Sequence, residues 1–433
     1  MSHESLSRRE LLQILAGAGL VAFTPRSSEA SASSVAPYDG PLFILVHAGG
    51  GWDPTSLCDP KGVASKDEDK PINSFLKSEV KSVGPFQVGP VPGAVEFFQT
   101  HQKRLIVLNG IDTSTNGHDS GTRHMWSGNL VEGYPSIAAM VAATFAPKQP
   151  LAFLSGGGYD YTAGHIAPTR VGNVSALQRL TKPNAISMSD SKRIYHESWV
   201  WDRIVKLRNK RLQRRVAHKG LPASMQAMAM LRDARLGVDI LDKLLEKMPA
   251  KLDASNNPLK KQSEIAAAAF AAGLGASASL SLGGFDTHAN HDATHRPRLT
   301  MLLEGVSHLY KQLEAQKIAD RAIIVVGSDF GRTPGFNAGN GKDHWSITSA
   351  MVLGPTTGKY AIKGGRVIGA TTDGHHPLEV NPKTLAVVEA GKGERITPGA
   401  IHLALRAHLG LSGGELDKRY VIKAPAMPLL KGA

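Results

Sequence analysis

The sequence has very little cysteine: Cys58 is the single thiol among 433 residues. One thiol cannot form an intrachain disulfide, and it cannot supply the several thiolates of a cysteine-based zinc site. Nucleotide-binding motifs are also missing, because no G-x-x-x-x-G-K-S/T loop occurs and "SGGGYDYTAG" lacks the third glycine of the G-x-G-x-x-G pattern. These absences exclude a disulfide scaffold and a Cys-rich zinc module, and they give no reason to expect a nucleotide cofactor.

Long hydrophobic runs are missing as well. Beyond the N-terminus, no segment offers the roughly 18 unbroken apolar residues of a membrane-spanning helix, so no membrane span is expected. Residues 1–36 instead have the features of a signal peptide and a short linker. Arg8 and Arg9 precede a weakly apolar core, and Ala30 and Ala32 fit a small-residue cleavage site.

The paired arginines resemble a twin-arginine export signal, which is recognised by a dedicated export machinery. That route carries folded proteins, often with a cofactor in place, so the resemblance favours a bound metal or cofactor. We therefore expect a periplasmic or otherwise exported protein. An ordinary amphipathic N-terminal helix is the alternative.

Acidic residues are outnumbered, with 37 Asp and Glu against 50 Lys and Arg and a formal charge of +13. This balance favours anionic surroundings, such as nucleic acid, an acidic polymer, or a phosphate or sulfate ester. Residues 203–219 contribute eight Lys or Arg and no acid. This run contains no Phe, Tyr or Trp to stack on bases, so we interpret it as a solvated helix face and do not expect nucleic acid as a partner.

Short apolar runs alternate with helical patterns along most of the chain. The runs predict strands at residues 42–47, 104–110, 151–155, 277–282, 322–327 and 349–354. This alternation predicts an α/β fold with a mostly parallel sheet and helices on both faces. Residues 190–273 are basic and then rich in Ala and Met, and we interpret them as a helical insertion into one domain that spans residues 37–433.

Four of the apolar runs are followed by glycine and then aspartate: Asp53, Asp112, Asp286 and Asp329. Parallel sheets bind ligands at the carboxyl ends of their strands, so these carboxylates can converge on one edge. A cluster of carboxylates needs a cation to neutralise it, and a divalent metal does so readily. The pattern therefore predicts a metal site, although any single aspartate here is also typical of a turn or a helix cap.

Histidines lie beside those acids. In an extended segment, residues two apart face the same way, so Asp286 and His288 can face one ion. "GKDHWS" supplies Asp343 and His344. The segment after Asp112 supplies three more candidates: His118, Asp119 and His124. Mixed Asp and His ligands suit zinc, manganese or iron, whereas a carboxylate-rich subset suits magnesium or calcium.

Other histidines are assigned to the surface or to loops. His291 and His295 precede a helical pattern, and we expect His295 at the protein surface. The pair His375 and His376 follows the turn signal "TTDG", which indicates a loop.

The motifs "GGFDTH" (283–288), "SDFGRTP" (328–334) and "DHW" (343–345) resemble those of the domain-of-unknown-function 1501 family of twin-arginine-exported proteins. That family is placed in the alkaline phosphatase-like superfamily of phosphatases, sulfatases, nucleotide pyrophosphatases and phosphomutases. The resemblance spans most of residues 40–411, though not the basic helical segment. It implies an alkaline phosphatase-like α/β fold and two divalent metal ions, with zinc, manganese, magnesium and calcium left open.

Carried over by position, the resemblance implies six metal ligands: Asp53, Asp286, His288, Asp329, Asp343 and His344. It also implies that Arg332 clamps a phosphate or sulfate oxygen. The sequence departs from the superfamily pattern in two places. The usual Asp-x-x-x-His spacing is shortened to Asp286-x-His288, and the usual Asp-His doublet is Asp329-Phe330.

The nucleophile is not marked by a specific motif. Cys58 lies in "CDPKG", which lacks the arginine of the sulfatase pattern Cys-x-Pro-x-Arg. The segment "STNGHDSGTRHMWSG" (114–128) loosely resembles the nucleophile turn of nucleotide pyrophosphatases and offers Ser114, Thr115 or Ser120, of which we favour Ser120. A helix cap is the alternative role for such a residue.

Together these features predict an exported, metal-dependent hydrolase of phosphate or sulfate esters that uses two metal ions. Its substrate would be a small or polymeric anionic ester. The alternative is a metal-binding scaffold or accessory protein on the same fold that carries out no catalysis.

Overall fold

The computed structural model describes residues 36–431 except 66, 172–181, 188–189, 191, 218–219, 222–223, 226–227 and 229–241. The predicted signal peptide lies almost entirely outside the described residues, and twin-arginine export therefore stays a prediction. Within the described ranges, no helix combines the length and the apolar character needed to cross a membrane.

The strands lie along the chain as follows: β1 Leu42–Gly49, β2 Lys81–Val83, β3 Phe86–Val88, β4 Leu105–Asp112, β5 Phe153–Ser155, β6 Pro168–Arg170, β7 Ser277–Gly283, β8 Ala322–Ser328, β9 Gly331–Arg332, β10 His344–Trp345, β11 Ile347–Leu353 and β12 Arg366–Ile368. Eight of them form the central sheet, in the order β12-β4-β11-β8-β1-β7-β5-β6. The short pairs β2–β3 and β9–β10 are separate hairpins.

The central sheet is parallel except for β11, which runs antiparallel to both β4 and β8. β1 lies near the middle and pairs in parallel with β7 and β8. The four strands that precede the predicted aspartates, β1, β4, β7 and β8, therefore run in one direction and end at one edge. The predicted α/β class with a mostly parallel sheet is confirmed, and each of the six predicted strands is present.

The helices lie between and beyond these strands: α1 Ala94–His101, α2 His118–Ser127, α3 Ile137–Phe145, α4 Ser198–Ala217, α5 Asp242–Lys247, α6 Pro258–Ala271, α7 His291–Ala315, α8 Pro398–Leu409 and α9 Glu415–Arg419. Short 3₁₀ turns occur at Pro54–Ser56, Lys77–Glu79, Gln102–Arg104 and Ala319–Arg321. The helices cover both faces of the sheet, which explains why the strands are apolar at nearly every position.

Two apolar cores lie on the two faces of the sheet. Leu42, Ile44 and Val46 of β1 pack into one core with α1, α6 and α7. Phe43 and Leu45 point the other way and pack with α2, α3 and α8. This alternation follows from the two-residue period of a strand, and it makes β1 the rigid centre from which the following loop extends.

The segment 190–273 contains α4, α5 and α6, and part of it lies outside the described residues. The last of these helices is not peripheral, because Ile265 and Phe270 of α6 are fully buried against the sheet. The basic helix α4 differs, since Trp199 and Leu207 on it are 70% and 59% exposed. The extent of an insertion within one domain stays a prediction.

Candidate metal centre

Three segments of the chain bring metal-binding side chains together beyond the carboxyl ends of the central strands. The turn after β7 carries Asp286 and His288, α2 begins with His118, and β10 begins with His344. We call these four residues the open cluster. Their side chains are partly exposed, from 23% for His344 to 48% for His288, so a molecule from solvent can reach them.

The open cluster points its metal-binding atoms at one another. Oδ1 of Asp286 lies 3.0 Å from Nε2 of His288 and 3.1 Å from Nε2 of His344. Those two Nε2 atoms are 3.0 Å apart, and Nε2 of His118 lies 3.5 Å from Oδ2 of Asp286. Neighbouring ligands of a tetrahedral ion with bonds of about 2.0–2.1 Å are roughly 3.3 Å apart. These spacings therefore fit the ligands of one metal ion.

The other ring nitrogen of each histidine is held by an oxygen. The three contacts are His118 Nδ1 to Asp329 Oδ2 at 2.5 Å, His288 Nδ1 to Asp343 Oδ1 at 2.7 Å, and His344 Nδ1 to the Asn116 carbonyl at 2.8 Å. A carboxylate or a carbonyl can only accept, so each Nδ1 donates a proton to its oxygen and each Nε2 is left facing Asp286. Metal-bound histidines in proteins are held in this way. His118, Asp286 and His344 are thus placed to hold one ion, and His288 lies beside Asp286 and His344.

Asp286 is kept ionised by its neighbours. Burial alone would raise the pKa of its carboxyl, but hydrogen bonds from Arg332 and His344 outweigh this effect and lower the pKa to about 2. A carboxylate of such low pKa remains available as a ligand throughout the neutral range.

Arg332 is not exposed, as a side chain that clamps a substrate would be. Its side chain is fully buried, and Nη2 lies 2.7 Å from Oδ1 of Asp286. Nε donates to the carbonyl of Gly51 at 2.8 Å, Nη1 to the carbonyl of Lys342 at 3.0 Å, and Nη2 also to the carbonyl of Gly50. The guanidinium therefore orients Asp286, and a role as an anion clamp stays a prediction that would require it to give up some of these bonds.

Asp329 and Asp343, both predicted as ligands, lie behind the histidines. Asp329 is 1% exposed, and its Oδ1 accepts hydrogen bonds from the backbone N–H groups of Gly50 and Gly51 at 3.0 and 2.7 Å. Its Oδ2 holds His118. Oδ1 of Asp343 holds His288 and also accepts from Asn337 at 3.2 Å. Both carboxylates thus orient histidines in the structure.

Glycines permit the close approach of these segments. Gly50 has φ +119°, and a Cβ at this position would overlap the backbone nitrogen of Asp286. A Cβ at Gly121 in α2 would likewise overlap the carbonyl of Asp329. The loop after β1 and the helix that carries His118 can therefore contact the site only without side chains at these points.

Asp53, the remaining predicted ligand, belongs to a second group of polar residues. We call this group the buried cluster: Asp53, Thr287, His291, His295 and Lys342. Asp53, His291, His295 and Lys342 are all 0% exposed. Oδ2 of Asp53 lies 2.6 Å from Nζ of Lys342 and 3.1 Å from Nε2 of His291. The structure therefore separates Asp53 from the hydrogen bonds of the open cluster.

The expectation that His295 lies at the surface is wrong. The helix α7 begins at His291, so His291 and His295 lie one turn apart on the face of the helix that points into the protein. Burial lowers the pKa of His295 well below its usual value and keeps the ring neutral. Its Nε2 accepts the backbone N–H of Asp53 at 2.9 Å, so His295 serves as a hydrogen-bond acceptor inside the protein.

Ser120 and Asp112 lie at the margin of the site. Ser120 is in the first turn of α2, and its hydroxyl lies 2.6 Å from that of Thr115 and donates to the carbonyl of Gly117 at 3.1 Å. Its role as nucleophile stays a prediction. Asp112 pairs with Arg395 at 3.0 Å and accepts the backbone N–H of Ser114, as a turn residue would.

His118 is the functional residue that is absent from the predicted ligand set. It was visible in the sequence as part of "NGHDSG", just after the strand that ends at Asp112. The glycine before it and the helix after it place His118 as the first residue of α2. His118, Asp286 and His344 have ligand atoms that all lie within 4.8 Å of one another.

Several solved structures are similar to the chain at low sequence identity. One is Ps i-CgsB in complex with k-i-k-neocarrahexaose, with 8% identity, 90% of this chain and 76% of that chain covered, and a TM-score of 0.37. The PsFucS1 sulfatase from Pseudoalteromonas sp. has 8% identity, with 86% and 68% covered and a TM-score of 0.37. A mutant of TAB5 alkaline phosphatase with bound Mg has 8% identity, with 76% and 94% covered and a TM-score of 0.30.

No curated protein matches the chain. Residues 41–385 match a protein family that is described as a protein of unknown function, DUF1501. This range covers most of the chain and includes the open cluster, and the protein therefore belongs to the DUF1501 family.

Proposed function

We propose that the protein is a metal-dependent hydrolase of phosphate or sulfate esters whose metal ion is held by the open cluster. The observation that carries this proposal is the arrangement of His118, His288 and His344. Each has its Nδ1 fixed by an oxygen and its Nε2 directed towards Asp286. A divalent cation at this point would take these nitrogens and the Asp286 carboxylate as its ligands.

The donor set favours particular metals. Three imidazole nitrogens and one carboxylate suit zinc, manganese or iron better than magnesium or calcium, which prefer all-oxygen sites. A divalent ion at this position would act as a Lewis acid towards an ester oxygen and would neutralise charge on the transferred group. The resemblance also implies a mechanism with two metal ions. Whether the protein uses it depends on how many ions it binds.

The protein's own residues would perform the remaining tasks. Arg332 fixes the Asp286 carboxylate from the buried side, and Asp329 and Asp343 fix the histidine rings, so the ligands need little reorganisation. Ser120 is our candidate for the attacking oxygen, because it lies in the same first turn of α2 as His118. The Thr115 hydroxyl, 2.6 Å away, is placed to donate to the Ser120 oxygen, whose own proton goes to the carbonyl of Gly117.

The substrate and the location follow from charge and from the N-terminal segment. The formal charge of +13 supports an anionic ester, either small or polymeric. The paired arginines Arg8 and Arg9 support export through the twin-arginine pathway to the periplasm. Both statements belong to the proposal.

The test combines metal content with turnover. Protein purified from its exported form without chelators or a metal-binding tag is analysed by elemental mass spectrometry and assayed with 4-nitrophenyl phosphate and 4-nitrophenyl sulfate. We expect bound transition metal and ester hydrolysis in the native protein, and loss of both in His118→Ala and Asp286→Ala. His196→Ala is a matched control, because His196 is exposed and its ring stacks on Trp201, outside the open cluster. Native protein that binds no ion, even after metal is added, would overturn the proposal.

The second candidate function is a metal-binding scaffold or accessory protein without turnover. The burial of Arg332 favours it, because the predicted anion clamp has its donors directed at backbone carbonyls and at Asp286. A protein that retains its metal but hydrolyses neither phosphate nor sulfate esters, including sulfated and phosphorylated polymers, would support this candidate instead.

A further inference from the structure

The buried cluster holds an internal cation beside Asp53, one of the six residues that the resemblance implies as metal ligands. We infer that the Lys342 ammonium neutralises Asp53 in place of a metal ion, so that the protein binds one divalent metal per chain. This inference rests on the proposed function, because it assumes that the open cluster binds the first ion. It concerns the number of ions and the identity of the group that neutralises Asp53.

The ammonium of Lys342 is surrounded by oxygen atoms. Its Nζ lies 2.6 Å from Oδ2 of Asp53, 2.9 Å from Oδ1 of Asn73 and 3.3 Å from Oγ1 of Thr55. An ammonium has three N–H donors, and three oxygens face it here. The oxygens of Asp53, Asn73 and Thr55 are the ligand types that a divalent ion would otherwise use.

Both oxygens of Asp53 are fully engaged. Oδ1 accepts from the backbone N–H of Thr55 at 2.9 Å and from its hydroxyl at 2.6 Å. Oδ2 accepts from Lys342 at 2.6 Å, from the Ser56 hydroxyl at 3.0 Å, and from His291 at 3.1 Å. An ion could bind Asp53 only by displacing several of these donors.

The two histidines of the buried cluster have no free lone pair. Nε2 of His295 accepts the N–H of Asp53, so its Nδ1 carries the proton and donates to Thr287 at 3.0 Å. The Thr287 hydroxyl in turn donates to Nδ1 of His291 at 2.7 Å. The proton of His291 is then at Nε2 and points at Asp53. This closed chain of hydrogen bonds contrasts with the open cluster, where the Nε2 atoms of three histidines face Asp286 and solvent.

Contacts of its backbone and side chain hold Lys342 in place, so it does not readily make room for an ion. Its backbone N–H donates to the carbonyl of Thr287 at 3.0 Å, and its own carbonyl accepts from Arg332 at 3.0 Å. Its Nζ also lies 5.3 Å from the centre of the Phe336 ring. A second divalent ion would have to enter a fully buried site beside this cation and the Arg332 guanidinium, which is unfavourable without further carboxylates.

The first experiment counts ions in the native full-length protein. Protein from the exported form is equilibrated with excess Zn²⁺ or Mn²⁺, desalted, and analysed by elemental mass spectrometry. One ion per chain supports the inference. Two ions per chain would overturn it and leave the proposed function intact, whereas no ion would overturn the proposed function itself.

The second experiment tests whether Asp53 is a ligand. In Asp53→Asn, the amide keeps one oxygen for Lys342 and Thr55, and we expect metal content to remain at one ion per chain. Asp286→Ala is the comparison, in which the ion should be lost. A fall from two ions to one in Asp53→Asn would identify Asp53 as a metal ligand and would contradict the inference.

A third variant asks whether removing the ammonium opens a metal site. Lys342→Ala leaves Asp53, Asn73 and Thr55 around a space, and we expect it to bind one more Mn²⁺ or Zn²⁺ than native protein at millimolar concentrations. The double variant Lys342→Ala/Asp53→Asn should not gain this ion. If these variants fail to fold, the ion count of the native protein and of Asp53→Asn still decides the question. A folded Lys342→Ala that gains no ion would contradict the idea that the ammonium fills a cation site.

Discussion

The open cluster and the buried cluster are built from the same residue types and share one short segment, but their side chains have opposite environments. Along residues 286–288, Asp286 and His288 project into the open cluster, while Thr287, between them, projects into the buried one. The Asp286 side chain is 45% exposed, whereas the whole of Asp53 is 0% exposed. The alternation of an extended chain therefore divides one histidine-rich segment between two sites.

The difference teaches how to distinguish a functional polar cluster from a structural one. In the buried cluster, every donor meets an acceptor, and the charge of Asp53 is matched by Lys342. In the open cluster, three Nε2 atoms and a carboxylate face one another and solvent. We therefore interpret Asp53 as structural, and we keep Asp286, which is half exposed, as the proposed metal ligand.

The largest expected effect on metal binding and turnover comes from replacing Asp286 in the open cluster. Asp286→Ala removes the group on which three histidines and Arg332 converge, and we expect loss of the metal and a fall in ester turnover on the order of 10³-fold. Metal analysis and steady-state kinetics measure both effects. Asp67→Ala serves as the control, because Asp67 is exposed and lies outside both clusters. Unchanged turnover in Asp286→Ala would remove the open cluster from the mechanism.

The next effect is on stability and concerns the buried cluster. Lys342→Met removes the ammonium but keeps the length of the side chain, so Asp53 is left as an unpaired buried charge. We expect a loss of about 3–5 kcal/mol in the free energy of unfolding, measured by urea denaturation. Replacing both partners in Lys342→Met/Asp53→Asn should restore part of this loss. A loss below about 1 kcal/mol for the single variant would show that the pair is not essential to the fold.

A smaller effect is expected behind the histidines. Asp343→Asn keeps the shape of the side chain that holds His288 but removes its charge, and such changes weaken metal binding by about 10–100-fold. Competition with a chelator of known affinity measures the change. The same substitution at Asp112, which pairs with Arg395, should leave metal affinity unchanged. Equal effects at both positions would mean that orientation of His288 is not the cause.

The smallest effect is a pH dependence of the buried cluster. Burial lowers the pKa of His295 in the folded protein, while the unfolded residue titrates near about 6.5. Below that pH the unfolded chain takes up a proton that the folded chain does not, so stability falls as pH falls, by up to about 1.4 kcal/mol per pH unit. Urea denaturation in the presence of a chelator, from pH 7.5 to 5, measures this slope. His295→Asn should reduce it, and an unchanged slope would assign the effect to other groups.

Much of the fold could be predicted from the sequence because the central strands are continuous apolar runs. β1, β4, β7 and β8 are buried on both faces, and their composition alone identifies them. The short strands β9 and β10 have no such pattern. In the folded chain, His344 of β10 lies opposite Arg332 of β9.

The site was only partly predictable, because the roles of its acids depend on distant partners. Asp286 and His288 were identifiable from their spacing, but Asp53 and Asp286 look alike in the sequence. What separates them is Lys342, which contacts Asp53 across 289 positions of the chain. The burial of His295 was missed for a related reason: a helix that begins inside the protein places polar residues where the pattern predicts solvent.

The contacts of the open cluster also have a kinetic consequence. His118 and Asp329 are 211 positions apart, and His288 and Asp343 are 55 apart. Closing such long loops is slow and follows the local contacts of helices and hairpins. We therefore expect the proposed metal site to form late in folding, after the sheet. A fluorescent chelator that loses its ion to the refolding chain would report the rate of the last step of folding. A chain exported in the folded state would carry its ion from the compartment in which it was made.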